Sequence, residues 1–108
     1  MNSEIKIFSV DYLPSSCNYE LLGLVKGNIA QSKHIGKDFL AGLKNIVGGE
    51  VGSYTEMISE ARETATKRML EEAEKLGANA VIGVKYSSSS VMEGTTEVIA
   101  YGTAVIIK

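Results

Sequence analysis

Glu97-Val98-Ile99-Ala100-Tyr101-Gly102-Thr103-Ala104-Val105-Ile106-Ile107-Lys108 is the stretch on which the reading of this chain turns. As a strand it puts Ile99, Tyr101, Thr103, Val105 and Ile107 on one face and Val98, Ala100, Gly102, Ala104 and Ile106 on the other. Both faces are largely apolar, and neither reads as a solvated surface. Both therefore need cover. Just upstream, Ala78-Asn79-Ala80-Val81-Ile82-Gly83-Val84-Lys85-Tyr86 reads as a second buried strand. Ser87 to Ser90 reads as a polar linker or hairpin tip.

Further back the hydrophobic period changes from two to between three and four. Tyr54, Met57, Ile58, Ala61, Ala65, Met69, Leu70, Ala73 and Leu76 form one helical stripe. Ser53 with Glu56 makes a capping box, and Gly77 supplies a C-terminal stop. Glu63 with Lys67, and Glu71 with Lys75, are spaced to pair along the exposed side. Before it, Ile35, Phe39, Leu40, Leu43, Ile46 and Val47 predict another helix, with Ser32 as its cap and Gly48-Gly49 as its end.

The N-terminal part reads as two strands, 4–10 and 19–31, separated by the loop Asp11 to Asn18. Gly23 and Gly27 interrupt the second strand, where a glycine marks a bulge or the close approach of another backbone. The predicted order is ββααββ, an α+β two-layer subunit occupying residues 1–108 as a single domain.

Two helices cover one face of such a sheet, and no element remains for the other. The small residues Ala100, Gly102 and Ala104 would let a second subunit pack closely. The expectation is a homo-oligomer closed into a ring or barrel. The alternative is a monomeric sandwich with an open, moderately apolar face.

Composition excludes several classes. With 44% hydrophobic and 22% charged residues the chain is neither disordered nor extreme. A net charge of −2 gives no global attraction for nucleic acid or anionic lipid. No apolar run approaches the ~18 residues that span a bilayer, and the N-terminus lacks a signal-peptide pattern. Cys17 is the single cysteine, so no intramolecular disulfide forms. A reducing cytoplasm is the expected compartment.

The catalytic inventory is thin. Cys17 and His34 are the one thiol and the one imidazole, and nothing in their spacing requires them to meet. There is no nucleophile elbow, no phosphate loop and no dinucleotide fingerprint, so a non-enzymatic role is expected. His34 and Asp38 stand four apart, on one side of the predicted helix's first turn. They offer one nitrogen and one oxygen, which suits a divalent transition metal such as zinc, nickel or copper. Two ligands per chain are too few for a tight site without a neighbour's contribution. The same helix N-terminus, with Lys37, is alternatively an anion site, making His34, Lys37 and Asp38 the candidate ligand-binding residues. The plain reading is an exposed His beside a local carboxylate.

Charge is also asymmetric along the chain. Residues 26–44 carry Lys26, Lys33, Lys37 and Lys44 against Asp38, whereas residues 50–76 carry seven Glu against Arg62, Lys67, Arg68 and Lys75. Opposite patches of this kind can set register between subunits.

Several strings resemble the YbjQ-like family of small bacterial proteins. They are Leu22-Gly23-Leu24-Val25-Lys26-Gly27-Asn28, His34-Ile35-Gly36-Lys37-Asp38, and Gly42-Leu43-Lys44-Asn45-Ile46-Val47-Gly48-Gly49-Glu50. Tyr54-Thr55, Glu60-Ala61-Arg62, Leu76-Gly77-Ala78-Asn79-Ala80-Val81-Ile82-Gly83-Val84 and Ala100-Tyr101-Gly102-Thr103-Ala104-Val105 continue the likeness. The resemblance implies a dodecin-like α+β subunit, assembly into homopentamers, and membership of a family described as heavy-metal-binding. It brings no ligand motif that maps onto residues here. The alternative function is a structural or protein-interaction module with no metal site.

Overall fold

The structure, a computed structural model, describes residues 4–32, 52–92 and 94–108. Within them the order is β1 (Lys6–Ile7), β2 (Tyr19–Ser32), α1 (Gly52–Lys75), β3 (Ala80–Met92) and β4 (Thr95–Ile107). The strands form one four-stranded sheet in the order β1-β3-β4-β2. β1 runs parallel to β3, and the other pairs are antiparallel. The α+β class and the helix-on-sheet layering stand. The helix expected over 33–47 lies outside the described residues.

Two strands differ from expectation. The first is cut to Lys6–Ile7, although Phe8 and Val10 still bond to the bulged part of β3: Val84 N–H donates to Phe8 O at 3.0 Å and Gly83 N–H to Val10 O at 2.6 Å. Ser87 to Ser90 are not a linker. They sit inside β3, where Ser88 opposes Val98 and Ser90 opposes Thr96. Serine is a weak strand former, but the partner β4 supplies the ladder, and tertiary context overrides propensity.

The turn after α1 explains how the helix feeds β3. Ala78 N–H donates to Ala73 O at 3.1 Å and Gly77 N–H to Glu74 O at 3.0 Å, the bond pair of a Schellman cap. Gly77 takes φ +83°, which an L side chain resists. Asn79 then behaves like a short piece of strand. Its amide accepts from Ile107 N–H at 2.7 Å and donates to Ile107 O at 2.9 Å. The chain thus leaves the helix and enters the sheet within a few residues.

α1 begins at Gly52, one residue before the cap expected at Ser53. Its stripe packs as the period implies. Ala61, Ala65, Met69 and Ala73 recur every four residues and are fully buried, joining Val25, Val81, Val98, Ala100 and Ala104 in one core. Leu76, expected on this stripe, is 48% exposed because the cap turns it out. Among the described residues the ion pairs are Lys85–Asp11 and Lys108–Glu20, so the i,i+4 pairs expected on the helix do not close.

The two strand glycines divide the two roles between them. Gly23 sits at the irregularity that shifts register between Leu21 and Gly23. Gly27 lies directly under the helix, where a Cβ would collide with the backbone of Ala65 and Met69. The small residues of β4 have a similar origin. Ala100 and Ala104 are buried under the chain's own helix, and a Cβ on Gly102 would come 2.8 Å from Val81 Cγ1. The expectation that these small residues receive a neighbouring subunit is therefore corrected: Ala100 and Ala104 let α1 lie close to the sheet, and Gly102 leaves room for Val81, Ile82 and Val84 of β3.

Candidate functional site

Among the described residues the opposite face of the sheet is covered only in part. Ala80, Ile82 and Val105 are buried there beneath Phe8, Leu13 and Tyr19. The N-terminal segment and the loop after it thus supply cover that the sequence reading did not find for this face. Beyond their reach the same face carries Leu24 at 68% exposure, Leu21 at 64% and Tyr101 at 36%, with Lys26 and Asn28 also exposed. In a strand without irregularity, Leu21 and Leu24 would point to opposite faces, being three apart. The bulge at Gly23 removes that mismatch, since Leu21 opposes Val105 and Leu24 opposes Thr103. The bulge is what gathers these apolar groups into one patch.

The lateral edges of the sheet are unequal as well. On β2, Lys26 N–H donates to Glu72 Oε1 at 3.1 Å, and Arg68 Nη1 donates to Asn28 O at 2.8 Å. Two side chains of α1 thereby occupy backbone groups of an edge strand, one of the ways an edge is blunted against further pairing. On β3, the N-terminal segment bonds to residues 81, 83 and 84. Residues 85–90 beyond it are all exposed. Within that stretch Tyr86 OH and Thr66 Oγ1 share a hydrogen bond of 2.8 Å across to the helix.

One charged contact fastens the loop beside the open patch. Lys85 Nζ donates to Asp11 Oδ1 at 2.9 Å. That hydrogen bond first, and the carboxylate charge second, raise the Lys85 pKa above its ordinary value. Both side chains are more than half exposed, so this is a surface tether.

The ligand residues expected from sequence, His34, Lys37 and Asp38, lie outside the described residues. β2 ends at Ser32, paired with Thr95 at the start of β4. Among the described residues no group of three or more His, Cys, Asp or Glu could hold a metal ion. Cys17 is half-buried in a turn whose N–H donates to Pro14 O at 2.8 Å. A groove of about 560 Å³ runs between residues 4–6 and α1, where Glu4, Glu71 and Glu74 alternate with Lys6 and Lys67. All five charged residues are exposed, and no buried side-chain polar atom among the described residues lacks a partner. No helix among the described residues is long and apolar enough to cross a membrane.

Sequence reasoning missed the patch of Leu21, Leu24 and Tyr101 and the edge contacts of Arg68 and Glu72. The signal for the patch was Gly23 itself, had its bulge been used to reset the strand's alternation.

Comparison with known proteins places this geometry. The profile of a family described as "Putative heavy-metal-binding" matches residues 5–108. A UPF0145 protein of Helicobacter hepaticus is 60% identical over 95% of this chain and 98% of its own length. One from Thermus thermophilus is 54% identical over 94% of this chain and 90% of its own. One from Archaeoglobus fulgidus is 51% identical over the whole of both chains. A crystal structure of a protein of unknown function from Pediococcus pentosaceus, of the DUF74 family, superposes with a TM-score of 0.63. It covers 96% of this chain and 98% of its own at 16% identity, a likeness of fold. The resemblance read from the sequence is borne out: this chain belongs to the YbjQ-like, UPF0145 family, whose description is "Putative heavy-metal-binding".

Proposed function

We propose that this chain is a non-enzymatic, cytoplasmic subunit of a closed homo-oligomer, a pentameric ring of dodecin-like subunits that binds a metal or small ligand. One observation supports assembly above all. A sheet with its helix already in place leaves Leu21 and Leu24 more than 60% exposed on its other side, beside a partly exposed Tyr101. Large apolar groups gathered in this way mark an interaction surface. The pentameric number comes from the family resemblance. With a net charge of −2 and an exposed apolar patch, the surface suits protein better than nucleic acid.

The metal part rests on the family's description and on the donor set at His34 and Asp38. Each chain offers one nitrogen and one oxygen there, half of a four-coordinate shell. A tight site therefore takes donors from more than one subunit. The competing use of the same segment is an anion held by His34 and Lys37.

Native mass spectrometry of purified material reads subunit number and retained metal together. Calorimetry with zinc, nickel, copper and phosphate then separates the ligands. Metal binding requires neutral His34, so it weakens below about pH 6.5, whereas anion binding strengthens there. His34→Ala abolishes the first and only weakens the second. Indistinguishable titrations of wild type and His34→Ala remove this segment as the site. An oligomer with no metal uptake leaves the structural or interaction module as the function.

A further inference from the structure

We draw no further inference here: the strongest candidate, the exposed outer stretch of β3 over residues 85–90 at the sheet edge, carries nothing because nothing in the structure shows what covers it.

Discussion

On the helix side of the sheet, Ala100 and Ala104 are fully buried. On the other side, Tyr101 is 36% exposed and Leu24, its diagonal neighbour across the strands, 68%. The same two strands build both faces. What differs is the size of the groups and what lies above them. The covered face is made of glycine, alanine and a few branched residues because a helix backbone must come within contact of a sheet backbone. The open face carries larger groups, and no helix among the described residues lies across it. Small residues thus record a contact inside the chain, and the large ones stay exposed among the described residues.

Substitutions on the two faces should therefore behave oppositely. Ala104→Lys places a charge beneath α1 with no partner, and should cost more than ~3 kcal/mol. Thermal melting followed by circular dichroism should show loss of the folded state itself, not dissociation of folded subunits. Gly27→Ala comes next, at about 3 kcal/mol, because its Cβ meets backbone atoms of Ala65 and Met69 that cannot rotate away. Urea denaturation should register it as a lowered midpoint with an unchanged slope. A stability within error of wild type would mean that the helix is not seated where these contacts put it.

Glu72→Gln tests the edge more gently. It weakens the acceptor for Lys26 N–H on an exposed strand edge, at a cost of about 1 kcal/mol or less. The same denaturation series reads it, and a loss as large as that of Gly27→Ala would contradict a peripheral role.

The smallest effect belongs to Lys85. Its folded pKa is raised, so the tether's contribution is present below the unfolded pKa, near 10.4, and is lost as pH rises through the higher folded value. Lys85→Met should leave stability nearly unchanged at pH 7 and flatten its decline on the alkaline side. Parallel alkaline limbs for wild type and variant would remove the tether from the account.

How much of this was legible in sequence follows from what each signal reports. The helical stripe of Ala61, Ala65, Met69 and Ala73 was readable because period alone defines it. The β4 alternation was readable for the same reason. The cover for Val105 and Ile82 was not, because Phe8, Leu13 and Tyr19 reach them through pairing that is distant in sequence. Ser87 to Ser90 misled because their strand state is imposed by β4 and not by their own preference. The small residues of β4 signal a close contact in the sequence but not its partner, since composition shows closeness without saying whose atoms approach. His34, Lys37 and Asp38 were singled out by chemistry alone, and their placement is outside the described residues.

Sedimentation velocity on wild type and Leu24→Glu at micromolar concentration tests the contrast between the faces most directly. Leu24 is exposed, so the substitution should change subunit stability by no more than about 0.5 kcal/mol. The account predicts that wild type sediments as one closed oligomer of five chains, and that Leu24→Glu sediments as a smaller species with an unchanged circular dichroism spectrum. A wild-type monomer under these conditions would contradict it.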